Sequence, residues 1–179
     1  LCVDTMASSA ALVFINGEFW GVYNFRERYS PEYVSDHTGA NKDTVTVIEN
    51  ANNLYNQNPD VAFVDGSGVA GYADEFNWLL EFADTHDLSV PENFAWIESK
   101  LDLDSLIDLC AVRVFFNATD WPENNIKLWR DTAPDSADAR WHFVLLDTDW
   151  GMGMKQTTGP EMNLLFILLN YSNGTYTKD

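Results

Sequence analysis

Residues 117–130, "NATDWPENNIKLWR", followed by residues 140–153, "RWHFVLLDTDWGMG", decide how this chain is read. An apolar helical pattern ends just before Asn117. Asp120 and Asn125 then stand five residues apart, with Pro122 stiffening the path between them. Residues 126–130 and 140–147 read as two strands around an Asp-, Ala- and Pro-containing connection. The second strand delivers Asp147 and Asp149 at its end, and Gly151 and Gly153 let the backbone fold closely afterwards. Taken singly, these residues are a turn cap and solvated strand ends. As an ordered set, helix, Asp, four residues, Asn, hairpin, Asp, they match what phosphoryl transfer requires. That chemistry needs a carboxylate near the attacking hydroxyl, an amide oxygen on a metal and a further carboxylate holding magnesium against phosphates.

Upstream, residues 11–27 form two apolar, β-branched and aromatic runs around Asn16-Gly17. This dipeptide tolerates positive φ at both turn positions, so the stretch predicts a β-hairpin. Pro31 is placed to start a short helix, and residues 44–50, "TVTVIEN", read as a third strand. Residues 51–68 are rich in Asn, Asp and Gly and read as loop. Between 70 and 86, Tyr72, Phe76, Leu79, Leu80 and Ala83 recur on one helical face. Pro91 suits the first turn of a helix running to about Lys100. Asp102 is placed to cap the next helix, with Leu103, Leu106, Ile107, Cys110 and Val114 as its buried stripe. The tail from residue 161 begins as an apolar helix that stops at Asn173-Gly174. The predicted class is α+β, with sheet and helices segregated into two lobes.

Composition narrows the function classes. The chain has 179 residues, 46% of them apolar, enough for one domain with a sizeable core. A net charge of −18 opposes nonspecific binding to nucleic acid, because the long-range field repels phosphate backbones. A site for anionic phosphates would need divalent cations or a local basic pocket. No apolar run is long enough to span a membrane. The start at Leu1, without an initiator methionine, reads as cut from a longer protein. Cys2 and Cys110 lack metal-binding spacing, and Cys110 reads as a buried free thiol. His37, His86 and His142 are scattered and fit surface or strand positions rather than zinc. "DTDWG" has no second Asp-Thr-Gly or Asp-Ser-Gly for an aspartic-protease dyad, and the register from Asp147 puts Thr158 where an EF-hand needs Glu. There is neither a Gly-x-Ser-x-Gly elbow nor a P-loop. Of the seven tryptophans, Trp20, Trp78, Trp129 and Trp141 fall in element patterns and are expected in the core. Trp121 and Trp150 flank the candidate site.

Three blocks in order, "VFINGEFWGVYNFRERYSPEYV" (13–34), "NATDWPENNIKLWR" (117–130) and "RWHFVLLDTDWGMG" (140–153), resemble the spore-coat-protein-H (CotH) kinase-like family, distant relatives of protein kinases. The resemblance covers residues 11–153. It implies an atypical protein-kinase-like two-lobed fold, with a β-rich part over 1–68 and a helical part with the catalytic hairpin over 69–179. The family's helical C-terminal part runs further, so the chain is expected to be a truncated copy. The resemblance also implies an ATP- and magnesium-dependent enzyme, with manganese as the alternative ion, that phosphorylates serine of a coat or surface protein. An extracellular, cell-surface or spore-coat location goes with it. Carried over by position, Asp120 is the catalytic aspartate. Asn125, with Asn124 as its competitor, and Asp147, with Asp149 as alternative or second ligand, bind metal. Arg26, Glu27 and Arg28 lie near the phosphates, with Arg28 where the family often has lysine. Trp121, read from its own position flanking the site, is a candidate for a nucleotide or substrate wall, with a purely structural place as the alternative. A non-catalytic structural or adhesion module that keeps the fold is the rival reading, and a metal-dependent phosphohydrolase using the same carboxylates is the third.

Overall fold

The structure, a computed structural model, describes residues 2–50, 63–118, 120–122, 124–154, 163–169, 171–172 and 175–176. Its core is a four-stranded antiparallel sheet of order β4-β3-β5-β6, formed by β3 (Val45–Asn50), β4 (Phe63–Gly68), β5 (Lys127–Asp131) and β6 (His142–Phe143). β3 is central, and its residues Val45 to Ile48 are all buried. A strand buried on both faces needs a continuous apolar run rather than alternation. Val45 and Val47 pack with Tyr29, Tyr33, Val34, Trp129 and Val144, whereas Ile48 and Leu128 join the larger cluster built with the helices. Thr46, the polar interruption, donates its hydroxyl to the Val69 carbonyl at 2.8 Å.

The hairpin β1 (Ser8–Ile15) and β2 (Glu18–Arg26) forms as the Asn16-Gly17 signal predicts, with φ of 53° and 85° at the turn. It is a separate two-stranded sheet. Its apolar side chains are exposed, including Trp20, which is 60% accessible. The expectation of a buried Trp20 is therefore corrected, as is that for Trp78, whereas Trp129 and Trp141 are core residues.

α1 (Pro31–Thr38) starts at Pro31, with the Ser30 hydroxyl accepting from the Tyr33 amide. The glycine-rich segment read as loop contains β4 over residues 63–68; residues 51–62 of that expectation lie outside the described residues. Composition misled here because Gly68 is needed for close approach. A Cβ there would stand 2.3 Å from the Val45 carbonyl oxygen. From β4, the Asp65 carboxylate accepts from the amides of Gly71 and Ala73 and so caps α2 (Ala73–Thr85) from outside the helix.

α2 buries Phe76 and Leu79 but leaves Leu80 at the surface. α3 (Pro91–Glu98) follows, then α4 (Leu103–Phe116). Of the stripe predicted for α4, Leu103, Leu106 and Cys110 pack half-buried against the core, but the most buried row is shifted to one side of it. Ser105, Leu109 and Arg113 form the buried row at i, i+4 and i+8, and Ile107 is exposed. The shift has a physical source: two polar residues occupy the inner face because both have backbone partners there. Ser105 Oγ donates to the Asp102 carbonyl and accepts from the Phe143 amide. Asp102 precedes α4 but makes no capping bond; its carboxylate faces His142 Nδ1 at 3.2 Å and Arg140 at 3.4 Å. The tail carries α5 (Leu164–Leu169) and a two-residue pair, β7 (Tyr171–Ser172) with β8 (Thr175–Tyr176). Helices and antiparallel sheets together make the protein α+β, as expected. The sheet draws strands from both sides of residue 68, since β3 pairs with β5.

Candidate functional site

α4 aims the site. The helix ends at Asn117 in the left-handed region (φ 53°, ψ 47°), and the Ala118 amide bonds back to the Arg113 carbonyl at 3.1 Å. The chain leaves the helix sharply and turns through the buried Asp120 and a cis Trp121-Pro122 peptide. Asn125 then donates its side-chain amide to the Asp120 carboxylate. The bond engages the nitrogen and leaves the Asn125 amide oxygen as the atom suited to a hard cation. Asn124 is half-buried beside it.

Asp147 and Asp149 arrive from the other side, after β6 and the segment Val144–Leu146. That segment is anchored by the Leu145 amide on the Asp4 carbonyl at 2.8 Å and by Tyr29, whose hydroxyl donates to the carbonyls of Leu145 (2.7 Å) and Asp4 (2.9 Å). Burial, with Tyr33 and Asp4 adding to it, keeps the Tyr29 phenol firmly protonated. Asp147 and Asp149 are exposed, and the Asp149 amide approaches the Asp147 carboxylate at 3.4 Å. A side-chain hydrogen bond with Asp147 is the largest influence raising the Asp149 carboxyl above the usual range. Desolvation and the charges of Asp147 and Asp120 add to it. Asp149 therefore senses both its neighbour and the carboxylate delivered by α4.

Gly151 closes the loop against α4. A Cβ there would lie 2.6 Å from the Phe116 carbonyl oxygen, the same oxygen that accepts from the Met152 amide. Beneath everything lies Arg113, fully buried on α4. Its guanidinium donates to the Asn125 carbonyl at 3.1 Å and to the carbonyls of Leu146 and Asp147. Burial lowers its pKa, opposed by the carboxylates of Asp120 and Asp147. Sequence reasoning passed over this residue, although an arginine inside "LCAVRVFF" was a visible signal. A charge in an apolar helix run needs buried partners.

The arrangement brings together Asp120, Asn125, Asp147 and Asp149. Arg26, Glu27 and Arg28 have surroundings of their own. Arg26 ends β2, paired with Ser8 and exposed. Glu27 accepts from the Ala7 amide at 2.8 Å and faces His37 at 3.4 Å. Arg28 lines a cleft of about 440 Å³ with Lys42, Glu32, Asp43 and Gly68, a cleft that none of the four site residues lines. Trp121 is buried in the main core, and its indole nitrogen has no hydrogen-bond partner among the described residues. Both thiols are unpaired, Cys2 exposed and Cys110 half-buried.

No group of three or more His, Cys, Asp or Glu is disposed to hold a metal ion among the described residues. Magnesium does not need one, because it is bound through one or two carboxylates, with phosphate oxygens and water completing the octahedron. Asp147, Asp149 and the amide oxygen of Asn125 are the groups that could supply such donors. No described helix is long and apolar enough to cross a membrane. A comparison with curated proteins returns no match. Comparison with protein families matches residues 1–175 to CotH, described as CotH kinase protein. With nearly the whole length matched, the chain belongs to the CotH kinase family.

Proposed function

We propose that this member of the kinase-like family transfers the γ-phosphate of ATP to a serine hydroxyl of a protein substrate in a magnesium-dependent reaction. The observation that carries the reading is the bond between Asp120 and Asn125, set beside the Asp147–Asp149 pair. Asp120 is the group to orient the attacking hydroxyl and accept its proton. Its amide partner Asn125 holds that carboxylate in place, and the amide oxygen of Asn125 and the carboxylates of Asp147 and Asp149 would hold the cation. Magnesium, or manganese in its place, supplies positive charge against the phosphates, which a chain of net charge −18 otherwise repels. A coat or surface protein is the substrate class, and an extracellular, cell-surface or spore-coat location is part of the proposal.

The test is phosphate transfer from labelled ATP to protein by the full-length protein. Asp120→Asn is expected to lower the rate about 10²- to 10⁴-fold, with nucleotide affinity retained. Unchanged labelling in Asp120→Asn and Asp147→Asn variants would overturn the assignment. Release of free phosphate without labelled protein would indicate a phosphohydrolase.

One observation favours a second reading, a non-catalytic structural or adhesion module. The β1–β2 hairpin carries exposed apolar side chains on both faces, among them Leu12, Phe14, Phe19, Trp20, Val22 and Phe25, and exposed apolar surface on this scale marks binding surfaces. That reading predicts no magnesium-dependent nucleotide binding, which titration calorimetry detects.

A further inference from the structure

Two residues of the candidate site have an uncommon backbone. Asn125 has φ 58° and Asp147 has φ 46°, both in the left-handed region. Asn and Asp enter this region more readily than other non-glycine residues, and they persist there when their surroundings hold them. The two lie on separate segments, one following α4 and the other following β6, yet one side chain meets both carbonyls. Arg113 donates through Nη2 to Asn125 and Leu146 and through Nη1 to Asp147. A planar guanidinium presents donors in a fixed fork, so adjacent carbonyls at 146 and 147 and a third at 125 are held in one geometry. A lysine ammonium lacks that fork. The same residue is joined by its own carbonyl to the Ala118 amide, on the path to Asp120.

We propose that Arg113 is a positioning residue that clamps the Asp120–Asn125 loop and the Asp147 loop to one another and so sets the spacing between the hydroxyl-facing and cation-facing groups. The inference rests on the proposed kinase reading for its catalytic consequence, but the clamp itself is a property of the unliganded protein. Its charge has a second effect at the site. The buried guanidinium attracts the carboxylates of both Asp120 and Asp147.

The test has two arms on the full-length protein. In the first, amide hydrogen exchange compares wild type with Arg113→Lys and Arg113→Gln in the absence of nucleotide and metal. Exchange is expected to accelerate at least about tenfold in both the 124–127 and 146–149 segments, with β3 unchanged. Release of one segment without the other, or of neither in a folded variant, overturns the clamp. If neither variant folds, the wild type decides by nitrogen-detected NMR of the arginine side chains. Separate, slowly rotating Nη signals for Arg113 are expected, and a freely rotating guanidinium overturns the proposal. In the second arm, Arg113→Lys is expected to lower kcat about ten- to hundredfold with KM for the protein substrate little changed. A raised KM with kcat intact overturns the positioning role. Should the wild type transfer no phosphate, the kinase reading fails while the exchange arm still judges the clamp.

Discussion

The hairpin β1–β2 and the central strand β3 are written in the same residues and end in opposite environments. Two thirds of the residues in "ALVFI" and "FWGVYNF" taken together are β-branched or aromatic, the same share as in "VTVIEN", and all three form strands. β3 is enclosed by β4 and β5 at its edges and by apolar clusters on its faces. Among the described residues the hairpin pairs only with itself, and Phe25 is 74% accessible. Strand propensity is therefore a statement about the backbone and the pleat; what covers the pleat is decided by chain segments far away in sequence.

The largest effect that sharpens this contrast is expected under the sheet. Trp141 is 1% accessible and packs edge-on against Phe76. Trp141→Ala should cost about 3–5 kcal/mol of unfolding free energy in urea titrations, through lost burial and an unfilled cavity. Next comes Gly68→Ala. Its Cβ would press on the Val45 carbonyl from a backbone with φ +90°, and a loss of about 1–3 kcal/mol is expected. On the hairpin, Trp20→Ser should change stability by less than about 0.5 kcal/mol. A loss of 2 kcal/mol or more there would break the comparison and show that the indole is covered in solution.

The smallest effect is electrostatic, at the β6 end of the sheet. Hydrogen bonding to Arg140 pulls the Asp138 carboxyl down to about 2, from an ordinary value near 3.8. A carboxylate with a depressed folded-state pKa adds stability above its unfolded pKa, and that stability is lost as pH falls through the folded value. Asp138→Asn should therefore lower the urea midpoint slightly at pH 5, and the gap to wild type should close as pH approaches 2. Because Asp138 is partly exposed, solvent screening keeps the effect small. A gap that stays constant with pH would show the contribution to be packing rather than charge.

Local signals were legible where local chemistry decides. Asn16-Gly17 bent the hairpin, Pro31 and Pro91 opened their helices, and Asn117 ended α4. At the site, the five-residue interval singled out Asp120 and Asn125; that their side chains bond to each other is seen only in the fold. The tryptophans show where such reading stops. Trp20 and Trp78 sit in patterns as apolar as those of Trp129 and Trp141, but they face solvent because no distant segment among the described residues packs over them. β4 was missed because glycine and aspartate favour turns locally. Pairing with β3 overrode that preference, and Gly68 served the close approach.

The sequence by itself determined the α+β class, the Asn16-Gly17 turn, the helix starts at Pro31 and Pro91, the family blocks and the order of the acidic residues, because each depends on spacing along a few residues of chain. Only the tertiary structure decided that β3 lies between β4 and β5, that the inner row of α4 runs through Ser105 and Arg113, and that the Asn125 and Asp147 segments meet. The reason is physical. A guanidinium buried in a helix is tolerable only where backbone carbonyls converge on it, and those carbonyls come from residues 12 to 34 positions away along the chain.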